Sequence, residues 1–130
     1  MILVDTTVWI DFFKNKTNQS SLRLIELIED KRELCICGVI LTEILQGIRN
    51  KKEHHQVKSL LDSLLFLEMS KNTFLIAAEI YRMLRLRGIT IRKNIDCMIS
   101  AVAIENQVPL LHSDRDFNPI KKYCGLHVDA

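Results

Sequence analysis

No stretch of eighteen apolar residues occurs in the 130-residue chain, so no membrane-spanning helix is expected. The opening Met1-Ile2-Leu3-Val4-Asp5 has neither a basic n-region nor a small-residue cleavage site, so no secretory leader is expected either. None of the four cysteines (Cys35, Cys37, Cys97 and Cys124) belongs to a C-x-x-C pair, and three of them lie in apolar segments. That pattern argues against a disulfide framework or a zinc site and for reduced core thiols in a cytoplasmic protein. Internal repeats, low-complexity tracts and linkers rich in Pro, Gly or Ser are missing too, which leaves one domain over residues 1–130 as the expectation. A glycine-rich phosphate loop is absent, so nucleotide binding of the P-loop or dinucleotide kind is not expected. Charge of one sign is scarce: 18 Lys and Arg against 16 Asp and Glu leave +2, too little to point to a partner.

Apolar residues, by contrast, make up 48% of the chain, enough to bury a core without disulfides or a structural metal. Basic residues gather at Arg49, Lys51 and Lys52, at Arg82, Arg85, Arg87, Arg92 and Lys93, and at Lys121 and Lys122. Such patches attract a phosphate backbone. On their own they read as a solvated surface, and they gain meaning only beside a site.

Ile2-Leu3-Val4 is wholly apolar and ends in Asp5, as a buried parallel strand reads. Thr6 or Thr7 offers a cap for a short helix through Phe13. Asn18, Ser20 and Ser21 offer caps for a second, with Leu22, Ile25 and Ile28 on its apolar face. Residues 34–39 read as a second strand. From about Leu41 the pattern is helical, with Ile40, Ile44, Leu45 and Ile48 on one face and Glu43, Gly47 and Asn50 on the other. A helix over 53–64 and a short strand over 65–69 follow. Ser70 or Asn72 starts the next helix, ended by Gly88, and Asn94 caps another with Ile95, Met98, Ile99 and Val102 inward. Residues 108–112 read as a fourth strand and 126–128 as a fifth. Short apolar strands alternating with amphipathic helices predict an α/β domain with a mainly parallel sheet and helices on both faces. In such sheets ligands bind beyond the carboxyl ends of the strands, where Asp5 and Asp114 fall.

Taken singly, the acids are ordinary. Asp5 reads as a turn residue, Glu43 as a solvated helix residue, and Asp96 as a first-turn acid favoured by the helix dipole. Asp114 and Asp116, in His112-Ser113-Asp114-Arg115-Asp116-Phe117, read as loop or cap residues. Taken together they point to chemistry. If strands one and four are neighbours, Asp5 and Asp114 emerge at one sheet edge, and Glu43 and Asp96 sit off the apolar stripes of their helices. At ~5 Å and an effective dielectric near 20, each like-charged pair costs on the order of 3 kcal/mol. Such a cluster must take up protons or cations. An oxygen-only ligand set points to Mg²⁺ or Mn²⁺, and such ions activate water against phosphodiesters.

At these residues the chain resembles the PIN-domain family, in particular the VapC-type toxins of toxin–antitoxin pairs. The resemblance rests on Ile2-Leu3-Val4-Asp5-Thr6-Thr7-Val8-Trp9-Ile10-Asp11 and Leu41-Thr42-Glu43-Ile44-Leu45-Gln46-Gly47. It continues with Asp96-Cys97-Met98-Ile99-Ser100-Ala101-Val102-Ala103 and Leu110-Leu111-His112-Ser113-Asp114-Arg115-Asp116-Phe117, four pieces in order over nearly the whole chain. It implies a three-layer α/β/α sandwich on a parallel five-stranded sheet. It also implies Mg²⁺- or Mn²⁺-dependent endoribonuclease activity with a transfer RNA as the family-level substrate, a cognate antitoxin, and a homodimer. Asp5, Glu43, Asp96 and Asp114 match the family's acidic positions, Asp116 a further one, and Thr6 and Ser113 small hydroxyl positions beside them. On this reading Asp5, Asp96 and Asp114 hold one ion, while Glu43 supports a second or orients the attacking water. His112 has no implied role.

Two other readings compete. A phosphatase of the haloacid-dehalogenase kind also places an Asp after strand one, but it usually wants a second Asp two residues later, where this chain has Thr7. In a non-catalytic module binding RNA or protein, the acids would merely cap helices. Metal binding separates that module from the nuclease.

Overall fold

Ile2–Val4 forms β1, three consecutive residues each no more than 1% exposed. A strand apolar on both faces needs cover on both, and the rest of the chain supplies it. The computed structural model describes residues 1–129. After β1 come α1 (Thr6–Phe13), α2 (Gln19–Glu29), β2 (Leu34–Cys37), α3 (Gly38–Gln46), α4 (Lys51–Asp62) and β3 (Leu65–Leu67). They are followed by α5 (Lys71–Leu86), α6 (Asn94–Asn106), β4 (Leu110–Leu111), a 3₁₀ turn (Arg115–Phe117) and α7 (Asn118–Cys124).

All pairings are parallel and the strand order is β3-β2-β1-β4. Chain steps from β1 to β2 to β3 run one way; the step to β4 returns across the sheet. Right-handed crossovers then carry α1 to α4 over one face and α5 and α6 over the other. Packing agrees, since α1 meets α2 and α3 while α5 lies along α6 and meets α7. The direction of winding reverses between β1 and β4, and in sheets of this kind such a reversal leaves a crevice at the carboxyl ends of the strands. The helices α3 and α6 also touch, which brings the segments carrying Glu43 and Asp96 together.

Among the described residues the sheet has four strands rather than the expected five. Residues 126–128 contribute a single bridge, Leu110 to Val128, flanked by hydrogen bonds from the Leu110 N–H to the His127 carbonyl and from the Asp129 N–H to the Leu110 carbonyl, both 2.9 Å. With β4 only two residues long, the tail has one position to pair with.

Helix α2 also turns a different face inward. Leu24 and Leu27 are buried, whereas Leu22, Ile25 and Ile28 are 52%, 39% and 40% exposed. Two apolar stripes compete in this segment, and its N-terminus decides between them. Asn18 and Ser21 form a reciprocal capping box, and the buried Ser21 hydroxyl donates to the Lys16 carbonyl at 2.8 Å. Anchoring Ser21 inward draws in the positions three and six residues on. In α6 no single face points inward: Cys97, Ile99, Ser100, Ala101, Val102 and Ala103 are all buried, and the expected Ile95 and Met98 are only half-buried. The 3₁₀ turn and α7 occupy a stretch that the sequence pattern left unassigned.

All four cysteines are free thiols, and burial pushes Cys37 and Cys97 up to about 11, the behaviour of inert core residues. Among the described residues no helix is long and apolar enough to cross a membrane.

Candidate active site

The β1–β4 ladder continues one residue past β1, where the Asp5 N–H donates to the Leu111 carbonyl at 2.9 Å. This bond holds Asp5 at the mouth of the crevice with 4% exposure. Asp5 is the N-cap of α1, yet its carboxylate makes no capping bond. It accepts instead from the Thr7 hydroxyl at 2.8 Å, and Thr7 Oγ1 lies 3.2 Å from Ser113 Oγ at the end of β4. Thr6 points elsewhere: its hydroxyl donates to Glu43 Oε1 at 2.7 Å and so ties α3 to the start of α1. Consecutive threonines thus hold two different acids.

Asp114 leaves β4 and opens the 3₁₀ turn, where its Oδ1 accepts from the Asp116 N–H at 2.9 Å. That bond draws Asp116 back toward Asp114. The third acid of the group, Asp96, comes from the first turn of α6. Ligand atoms of Asp96, Asp114 and Asp116 all lie within 4.8 Å of one another. Two cations approach from the residues just before α6. Lys93 Nζ donates to Asp114 Oδ2 at 3.1 Å and stops 3.8 Å from Asp96 Oδ2. The Arg92 guanidinium donates to Asp116 Oδ2 at 2.9 and 3.3 Å.

Burial dominates the charges here. It pushes the Asp96 carboxyl up to about 7, with Asp5 and Asp114 adding repulsion and Lys93 opposing. Burial also raises Asp5, against the Thr7 hydroxyl bond. For Asp114 burial again acts upward, but the Asp116 amide and the Lys93 ammonium together outweigh it and hold the carboxyl below the usual range. Lys93 is raised, chiefly by its bond to Asp114.

Asp96 Oδ2 is buried and has no hydrogen-bond partner. Leaving a buried carboxylate oxygen unbonded is costly, and the grouping of this carboxyl with two more is what a cation requires. Octahedral bonds of about 2.1 Å place ligand oxygens at most about 4.2 Å apart. The 4.8 Å group exceeds that by about 0.6 Å, within the range of small side-chain rotations. Three carboxylates without sulfur or imidazole suit a hard divalent ion. The donor set fits.

Of the residues expected from the sequence, Asp96, Asp114 and Asp116 form the tight group, with Asp5 and Glu43 along its β1–α3 side. Thr6 serves Glu43 rather than Asp5, and Ser113 reaches Asp5 only through Thr7. Thr7, Arg92 and Lys93 join the site here although the sequence offers Thr7 only as a helix cap or a missing second Asp, and Arg92 and Lys93 only as surface charge. A signal existed for Thr7: a hydroxyl two residues after a strand-end acid can fold back on it. His112 packs its ring 4.8 Å from that of Phe117, and burial lowers its pKa, so it is a neutral wall residue.

The sequence profile of the PIN domain matches residues 2–123. The chain belongs to the PIN-domain family. Among relatives of this PIN domain, the ribonuclease VapC11 of Mycobacterium tuberculosis and a VapC ribonuclease of Mycobacterium bovis are each 32% identical over 128 residues, covering 97% of this chain and 96% of theirs. Solved structures of similar fold include VapBC2 from Rickettsia felis bound to a promoter DNA fragment, with TM-score 0.76, 20% identity, and 99% and 98% of the two chains covered. VapBC-1 from nontypeable Haemophilus influenzae is similar as well, with TM-score 0.74, 21% identity, and 99% and 97% covered. The crevice acids of this PIN domain lie inside the matched region.

Proposed function

We propose that this PIN domain is a Mg²⁺- or Mn²⁺-dependent endoribonuclease and the toxin of a toxin–antitoxin pair. The observation that carries the reading is the buried Asp96 carboxyl, grouped with Asp114 and Asp116 at the winding reversal of the sheet and with its Oδ2 left without a hydrogen bond. Asp5, Asp96 and Asp114, with Asp116, would hold the ion, which when bound stabilises charge on the phosphoryl oxygens and makes a water a better nucleophile. The chain's own residues set the geometry. Thr7 aims Asp5; Thr6 holds Glu43 Oε1, so that the other carboxylate oxygen can orient the attacking water. No histidine belongs to this group of acids: His112 packs against Phe117, and the other three lie outside the group.

The relatives named as VapC ribonucleases support RNA as substrate, with transfer RNA the class to test first. Basic side chains on the surface add to that support: Arg87, 4.3 Å over the Tyr123 ring, and Lys122, 5.3 Å from it, form a cationic patch. A protein antitoxin fits the second feature of the surface, a groove of about 430 Å³ between α1 and α3 lined by Ile10, Phe13, Ile44 and Ile48. Trp9, fully buried and stacked on Phe13, is core and takes no part in docking. A second copy of the chain belongs to the same proposal, with the exposed Phe74 and Leu75 of α5 as apolar surface for it.

The test is incubation of purified protein with total RNA. Discrete cleavage products are expected in Mg²⁺ or Mn²⁺, none in excess EDTA, and none from Asp5→Asn or Asp96→Asn protein that folds normally. Products that persist in EDTA, or full activity in either variant, would refute the reading.

A further inference from the structure

Arg92 and Lys93 stand over the acids from the solvent side. Their side chains are 74% and 52% exposed, whereas those of Asp116, Asp114 and Asp96 are 18%, 20% and 5% exposed. Ion pairs between one exposed and one half-sheltered partner are weak and easily exchanged. The fit to Asp96 is also incomplete, because Lys93 Nζ stays 3.8 Å away and leaves Asp96 Oδ2 without a hydrogen bond. With Asp96 ionised, as a bound divalent ion would require, the three carboxylates and these two cations carry one net negative charge. A divalent ion in place of the two cations leaves the same net charge, so the exchange is electrostatically neutral for the cluster.

We infer that Arg92 and Lys93 are displaceable internal cations: they cover Asp116 and Asp114 until a divalent ion takes those carboxylates, and then turn to the phosphates of the bound RNA strand. The RNA half rests on the ribonuclease reading above; the metal half stands without it. Two consequences follow from the geometry. Metal must compete with the pair, so removing their charge tightens metal binding. Once released, both side chains, on the two residues preceding α6 at the rim of the acids, would be free to bond a phosphodiester drawn to a bound ion. They are positioning residues for the strand, and their pairing with the acids offsets part of the cluster's negative charge between turnovers.

The experiment compares the wild-type chain with Arg92→Gln/Lys93→Met, with Arg92→Lys/Lys93→Arg, and with Lys121→Met/Lys122→Met as a control on charge removed elsewhere. Mn²⁺ titration of the metal-free proteins is expected to show the Kd falling about three- to fivefold in the neutral 92/93 pair. It should stay within about twofold in the conservative pair and the 121/122 control. Binding of a single-stranded oligoribonucleotide is then followed against salt in a Glu43→Gln background, which removes the group that orients the attacking water and leaves Asp5, Asp96, Asp114 and Asp116 to hold Mn²⁺. In Mn²⁺ the slope of log K against log salt should become shallower by about 0.7 for each cation lost, and the conservative pair should restore it. Without metal the neutral pair should leave the slope unchanged, because the two side chains are then engaged with the acids. The inference is overturned if Mn²⁺ binds the neutral pair no tighter than wild type, or if the slope changes equally with and without metal. Wild-type protein that fails to cut RNA in Mn²⁺ sinks the ribonuclease reading on its own, whatever the metal titration shows.

Discussion

Asp96 carries most of the chemistry at the scale of single residues. Its carboxyl titrates near 7 in the fold against 3.8 in a free chain. Between those values the native state holds a proton that the unfolded state has lost, so this group's contribution to stability falls as pH rises from about 4 to about 7. For metal-free protein, melting curves should show Asp96→Asn matching wild type near pH 4 and melting higher above pH 7. Parallel curves across that range would contradict the burial argument. Thr7 offers a second test, because its hydroxyl both orients Asp5 and holds its pKa down. Thr7→Val should cost about 10- to 100-fold in cleavage rate and move the acidic limb of the rate profile to higher pH, with Thr7→Ser restoring both. An unchanged profile in Thr7→Val would remove that role. The acids stood out in the sequence because Asp5 and Asp114 follow strands, Asp96 opens a helix and Glu43 lies off the apolar stripe of α3. The divided duties of Thr6 and Thr7 were not, since they depend on which way two adjacent side chains point. The same holds for Arg92 and Lys93, whose partners lie 24 and 21 residues away.

Among the elements, helices with one apolar stripe or a clear cap were readable, and α5 from Ser70 to the Gly88 turn is the plainest example. Helix α2 was misread in part because Leu22, Ile25, Ile28 and Leu24, Leu27 are both spaced for burial, so periodicity alone could not choose. Its capping box chose. Asn18→Ala should therefore lower stability by about 1 kcal/mol in denaturant unfolding, more than the same change at the uncapped start of α1 would cause. A loss below about 0.3 kcal/mol would mean that packing of Leu24 and Leu27, not the cap, sets the helix. Helix α6 hides its role for another reason: it is buried nearly all round, so it has no amphipathic signature. The fifth strand failed because pairing needs length on both sides, and β4 offers two residues.

For the whole molecule, topology does what no local pattern shows. The return from β3 to β4 across the sheet places the ends of β1 and β4 side by side, and positions separated by more than a hundred residues meet there, as in the Thr7–Ser113 contact. At 4.8 Å and an effective dielectric near 20, two ionised carboxylates repel by about 3 kcal/mol. Internal cations and a raised Asp96 relieve part of this, and a divalent ion relieves more. The most direct measurement is the melting temperature of metal-free protein titrated with Mn²⁺, for wild type beside Asp96→Asn. Wild type should rise by on the order of 8 °C at a hundredfold excess over Kd, while Asp96→Asn should rise little at the same concentration. A wild-type curve that does not move, or an equal rise in both proteins, would contradict a metal centre built on these acids.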